Sequence, residues 1–186
     1  MQSKKQVFNV PNFLTMFRIL IIPVIFALLL FKKEIYGIYA SVFFILAVLT
    51  DFMDGYIARK KKLITNLGIF LDPIADKLLV VTILIMLIPL NRIPAWVVVI
   101  IIFREIFITG LRAIAGEKGV VIPAGKEGKW KTAFQMLGIF FLLIYYKRFY
   151  INFEDIGLAL IFISIIFSLV SSYKYLKSVS GILLDG

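Results

Sequence analysis

Cysteine and histidine are both absent from the 186 residues. Without cysteine there can be no disulfide and no thiolate metal site. Without histidine, a general base has to be Asp, Glu, Lys or Tyr, and any metal site has to be built from oxygen ligands. Charge is scarce as well: 17% of the residues are charged, against about 25% in a soluble domain. Apolar residues fill the gap, at 61% of the chain with a mean hydropathy of +0.99, where a soluble domain carries about 45–50%. Water-soluble folding could not cover that much apolar surface, so the expected solvent is lipid. The few charges are lopsided, at net +10. In a soluble protein that excess would suggest nucleic acid. Here the basic residues stand between apolar runs, where they orient spans and meet anionic headgroups, so membrane lipids are the expected partner and nucleic acid is not.

Six apolar runs give six expected transmembrane helices, at Phe13–Phe31, Tyr36–Lys60, Gly68–Leu90, Ile93–Ala115, Lys129–Tyr146 and Asp155–Lys177. Each is close to the roughly 20 residues that cross a bilayer core. Helices are expected because isolated strands would leave backbone groups unpaired in lipid. The first run, behind Lys4 and Lys5, imitates an export signal. It ends in Phe31-Lys32-Lys33 without a small-residue cleavage site, and is expected to stay as the first span. Gln6–Arg18 contains Pro11-Asn12, a helix-opening pair, and is expected to begin as a short N-terminal interfacial segment. Lysine and arginine gather on one side: Lys4 and Lys5, Arg59 to Lys62, Lys118 to Lys131, and Lys174 with Lys177. That side is expected to be cytoplasmic, with both termini inside. Trp96, Trp130, Tyr145, Tyr146 and Tyr150 lie near span ends and read as interfacial anchors. No repeat or linker divides the chain, so residues 1–186 are expected to form a single all-α membrane-embedded domain.

Four aspartates stand at the ends of the second and third runs. Asp51 and Asp54 are three apart and share a helix face, which Gly55 and Ala58 continue with minimal side chains. Gly68, Asp72 and Asp76 follow at intervals of four on the next helix. A short connection makes the two helices antiparallel neighbours, so all four carboxylates can converge near the cytoplasmic surface. Converging carboxylates repel one another and stay ionised only beside cations. With oxygen ligands alone, Mg²⁺, Mn²⁺ or Ca²⁺ would serve, and paired ions suit in-line phosphoryl displacement. The plainer alternative pairs the acids with Arg59, Lys60, Lys61, Lys62 and Lys77. Against it, acids inside apolar helices are costly unless used.

The pattern Asp51-x2-Asp54-Gly55-x2-Ala58-Arg59-x8-Gly68-x3-Asp72-x3-Asp76 resembles that of the CDP-alcohol phosphatidyltransferase family at every fixed position. The resemblance implies a metal-dependent enzyme that displaces CMP from a CDP-linked lipid by an alcohol. It implies that Asp51, Asp54, Asp72 and Asp76 hold two divalent ions, Mg²⁺ or Mn²⁺, with Asp76 also the catalytic base. Asp54, Gly55, Ala58, Arg59, Thr65 and Gly68 would bind the CDP-lipid. It further implies a homodimer in the inner (plasma) membrane.

Arg104 and Arg112 are eight residues apart, about two helical turns, and Lys129 and Lys131 open the next span from the same side. A cationic pocket of this kind suits an acceptor that carries phosphate. The plainer alternative pairs Arg104 with Glu105 or Asp76 and leaves the lysines as topology signals. The runs Arg104 to Arg112, Gly128-Lys129-x-Lys131-Thr132 and Pro11-Asn12-Phe13-Leu14-Thr15-x2-Arg18 resemble the branch of the family that works on CDP-diacylglycerol and sn-glycerol 3-phosphate. Serine, inositol phosphate or another lipid is the alternative acceptor. From another class, the rival is a divalent-cation transporter, which should need polar residues through the membrane, whereas here the acids cluster at one face. No role follows from the sequence for Asn12, Thr15 or Arg18.

Overall fold

The computed structural model describes residues 10–61, 66–117, 125–144, 147–148 and 151–184. In chain order the elements are α1 (Val10–Leu30), α2 (Glu34–Lys61), α3 (Asn66–Leu87), α4 (Ala95–Glu117), α5 (Lys126–Ile144), β1 (Lys147–Arg148), β2 (Ile151–Asn152) and α6 (Phe153–Leu184). Each of the six expected spans overlies one helix, so the all-α reading holds. Among the described residues the one addition is the antiparallel β1–β2 pair, with Lys147 opposite Asn152 and Arg148 opposite Ile151. α1 starts at Val10 and continues to Leu30. Pro11, as its second residue, withholds a backbone donor that no intrahelical acceptor needs.

Among the described residues, three helices are long and apolar enough to cross a bilayer: α1 over Phe13–Leu30, α2 over Glu34–Asp51 and α6 over Phe153–Ser178. Only 28% of each window is buried in the protein. The remainder is apolar surface turned outward, which lipid accepts and water does not. This is a membrane protein. Trp96 and Trp130 are exposed within the first five residues of α4 and α5, the placement expected of interfacial anchors.

The chain forms two compact units, one of residues 1–91 with 143–145, the other of residues 92–142 with 146–186. In the first, α1 packs against both α2 and α3. The buried stripe of α1 is Thr15, Arg18, Ile21, Ile25 and Leu29. Those three- and four-residue steps keep one face inward, and the stripe turns from polar to apolar along the helix. α2 buries Ala40, Phe44 and Ala47, and α3 buries Ala75, Leu79, Ile83 and Leu87, at the same spacing.

In the second unit α6 buries Gly157, Ile161, Ser164, Ser168 and Tyr175 on one stripe. Asn152 caps it: its Oδ1 accepts from the Glu154 N–H at 3.2 Å, and its Nδ2 donates to Asp155 Oδ2 at 2.7 Å. Arg92 is buried and donates to the Leu142 carbonyl at 3.1 Å, close to the end of α5, where carbonyls lack intrahelical donors. That bond puts the start of α4 and the end of α5 on the same side of the unit, as alternating spans require. α5 and α6 meet at two glycines. A Cβ on Gly138 would lie 3.0 Å from the Gly157 carbonyl oxygen, and one on Gly157 would lie 3.1 Å from that of Gly138 and 2.8 Å from Leu142 Cγ. Small residues let the two backbones approach this closely.

Gly138→Ala and Gly157→Ala are therefore expected to lower stability by about 1–3 kcal/mol each, the usual cost of overpacking. Gly110→Ala and Gly116→Ala, where nothing lies within 4 Å of the new carbon, are expected to leave stability unchanged or slightly raised. Thermal unfolding of the four variants in detergent checks the contrast.

Candidate active site

α1 supplies the residues that organise the acids. Thr15 and Arg18, three apart, project from its buried face toward α2 and α3. The Arg18 guanidinium is fully buried. It reaches Asp51 Oδ1 on α2 through Nη2 at 2.9 Å and Asp76 Oδ1 on α3 through Nη1 at 2.5 Å. The Thr15 hydroxyl donates to Asp72 Oδ1, one turn before Asp76. Asp51, Asp72 and Asp76 are thus gathered onto one face of α1. The side chains of Asp51 and Asp76 are 45% and 39% exposed, so the acids keep an open side while the cation between them does not.

The cluster holds three carboxylates and one guanidinium, with a hydroxyl at its edge. Among the described residues no three acids close on a single point, and Arg18 and Thr15 lie between them. Bare carboxylates repel, and a guanidinium is the planar, permanently charged group that can serve two at once. The donor set fits a hard divalent cation: every acid donor is a carboxylate oxygen, and two of them already converge on one positive group. Asp54, Gly55, Ala58 and Arg59 belong to α2, but their side chains lie outside the described residues, as does Thr65 altogether. Gly68 is buried in the first turn of α3.

The second unit holds a separate charged cluster, centred on Glu105 of α4. Glu105 Oε2 accepts from Lys131 Nζ of α5 at 2.5 Å and from Arg104 Nη1 at 3.3 Å. Arg104 Nε donates to Ser172 Oγ of α6 at 2.7 Å, and that hydroxyl donates in turn to the Ser168 carbonyl at 2.8 Å. Arg112 places its guanidinium 5.6 Å from the ring centroid of Tyr175, a cation–π distance. Tyr175 is itself buried against Ile108 and Leu111. Arg112 is near enough to repel both Arg104 and Lys131. Of the four residues expected to receive an acceptor phosphate, Arg104, Arg112 and Lys131 share this cluster, and Lys129 is exposed on α5. Arg104 pairs with Glu105 as the plainer alternative allowed, and it does so while crowded by two further cations.

Sequence reasoning left Thr15 and Arg18 without a role and did not single out Glu105 as a hub. The signal for the first pair was present. An arginine inside an apolar helix demands a partner, and a threonine three residues away shares its face.

The model of the CDP-alcohol phosphatidyltransferase family matches residues 8–170. Curated relatives named CDP-diacylglycerol--glycerol-3-phosphate 3-phosphatidyltransferase include proteins from three bacteria. That of Bacillus subtilis (strain 168) is 38% identical, with 90% of this chain and 93% of the relative covered. That of Rickettsia typhi is 37% identical, covering 91% and 96%. That of Haemophilus influenzae is 37% identical, covering 96% and 97%.

Because Lys131 is buried and Arg104 nearly so, removing their shared carboxylate leaves two cations without it. Glu105→Ala is expected to cost about 2–3 kcal/mol, below the ~3–5 kcal/mol of a fully buried pair because Glu105 keeps part of its surface. The double variant Glu105→Leu with Lys131→Met is expected to recover part of that loss. Unfolding midpoints of the single and double variants test this, and equal losses in both would count against the pair.

Proposed function

We propose that this chain, which belongs to the CDP-alcohol phosphatidyltransferase family, transfers a phosphatidyl group from CDP-diacylglycerol to sn-glycerol 3-phosphate, giving phosphatidylglycerophosphate and CMP. The observation that carries this reading is similarity along nearly the whole chain to relatives bearing that activity in their names. The gathering of Asp51, Asp72 and Asp76 supports it from the side of chemistry.

In this reading Asp51, Asp54, Asp72 and Asp76 hold two divalent ions, Mg²⁺ or Mn²⁺. When bound, the ions would neutralise the diphosphate and acidify the acceptor hydroxyl. The chain's own residues do the rest. Gly55, Ala58 and Gly68 leave room for the nucleotide, and Arg59 and Thr65 contact it. Arg104, Arg112, Lys129 and Lys131 receive the phosphate of the acceptor, with the three clustered cations outnumbering Glu105. Asp76 takes the proton from the 1-hydroxyl of glycerol 3-phosphate. The freed oxygen forms a bond to the diacylglycerol-linked phosphorus, and the bond to CMP breaks, with CMP keeping the electron pair. The enzyme works as a multi-pass protein of the inner (plasma) membrane, with active site and termini cytoplasmic, a placement supported by the one-sided lysines and arginines. The family resemblance adds a homodimer.

CMP release by purified protein, with CDP-diacylglycerol and Mg²⁺ or Mn²⁺, is expected with glycerol 3-phosphate and not with serine, inositol phosphate or phosphatidylglycerol. Chelation of the ion is expected to abolish it, and release with another acceptor alone would replace the acceptor assignment. Asp76→Asn is expected to fold and insert while losing about 10²–10⁴ in turnover; normal turnover would remove Asp76 as the base. Arg112→Ala is expected to raise KM for glycerol 3-phosphate about tenfold, the scale of one charge-assisted contact, with little change in KM for CDP-diacylglycerol. The reverse pattern would reject the pocket.

A further inference from the structure

Arg18 is the most buried charged side chain described, yet it belongs to a helix that contributes no acid to the cluster it serves. Its guanidinium spans two helices, tying Asp51 of α2 to Asp76 of α3, while Thr15 holds Asp72 from the same face. The geometry is that of a cation placed where two carboxylates would otherwise repel. The buried stripe of α1 leads straight to it, so packing of Ile21, Ile25 and Leu29 fixes where the charge sits.

We propose that Arg18 is a built-in counter-cation: it holds Asp51 and Asp76 together in the ion-free protein and yields them when a divalent ion binds. The inference rests on the reading of the acids as metal ligands. Arg18 is thereby a positioning residue, and it competes with the ion for the same two carboxylates. Two consequences separate it from an ordinary structural ion pair. First, the need for Arg18 is conditional. Without an ion its loss leaves two carboxylates in mutual repulsion, whereas with an ion their charge is neutralised from the other side. Second, competition is reciprocal, so removing the guanidinium strengthens ion binding by the same factor that the ion weakens the Arg18 contacts. A plain structural pair would show neither effect.

The test uses full-length protein in detergent, with Mn²⁺ as the probe. Thermal unfolding is followed in EDTA and in saturating Mn²⁺, and Mn²⁺ affinity is measured by electron paramagnetic resonance. For Arg18→Gln the expected result is a lower melting temperature in EDTA, a larger rise on adding Mn²⁺ than in the parent protein, and Mn²⁺ binding tighter by about tenfold. Arg18→Lys, which keeps the charge, is expected to stay nearer the parent in both readouts. If Arg18→Gln does not fold in EDTA, folding on addition of Mn²⁺ is the expected outcome, and failure to fold in saturating Mn²⁺ overturns the proposal. Equal destabilisation with and without Mn²⁺, or Mn²⁺ affinity that is unchanged or weaker, also overturns it. The metal reading fails separately, and takes the proposal with it, if the parent protein binds no Mn²⁺ or binds it equally well after Asp51→Asn and Asp76→Asn.

Discussion

A charge inside an apolar helix has to meet its opposite on another helix, because neither lipid nor the packed side chains around it will solvate it. In the first unit that requirement joins α1 to α2 and α3 through Arg18, Asp51 and Asp76. In the second it joins α4 to α5 and α6 through Glu105, Lys131, Arg104 and Ser172. Apolar packing between helices is weakly selective when the surrounding lipid is equally apolar. The charged contacts therefore add selectivity of rotation and register to what the buried apolar stripes of each unit set by packing.

The two clusters answer the requirement with opposite balances. Carboxylates outnumber the cation around Arg18, and cations outnumber the carboxylate around Glu105. The first therefore carries a net negative charge and the second a net positive one. Each cluster also contains one residue of the minority sign. That residue offsets the repulsion among the like charges around it.

Much of this was legible in the sequence, and the limits have physical causes. Six apolar runs of bilayer length gave six helices because lipid leaves the backbone little alternative. The spacing of Asp51, Asp72 and Asp76 placed them on inward faces, since steps of three and four return to one side of a helix. The same periodicity does not say which neighbour lies opposite a face. Thr15 and Arg18 could be read as a polar patch on α1, but not as the partners of Asp72, Asp51 and Asp76. Glu105 and Arg104 are adjacent in sequence and point about 100° apart, so the chain alone could not assign Lys131 to one and Ser172 to the other. The strand pair of Lys147–Arg148 and Ile151–Asn152 has two rungs, too few for any alternation to show.

Asn152 occupies two structural roles at once: it closes the strand pair opposite Lys147 and caps α6 through the Glu154 N–H and Asp155. The end of one element and the first turn of the next are thereby geared together with no slack residue between them. α6 is a screw whose thread starts at that asparagine, advancing 100° for every residue. The positions of Ser172 beneath Arg104 and of Tyr175 beneath Arg112, some twenty residues along, are angular settings inherited from it. Side chains on the lipid-facing surface of α6 can be exchanged one at a time, but lengthening or shortening the chain at Asn152 would turn both contacts away from α4 together.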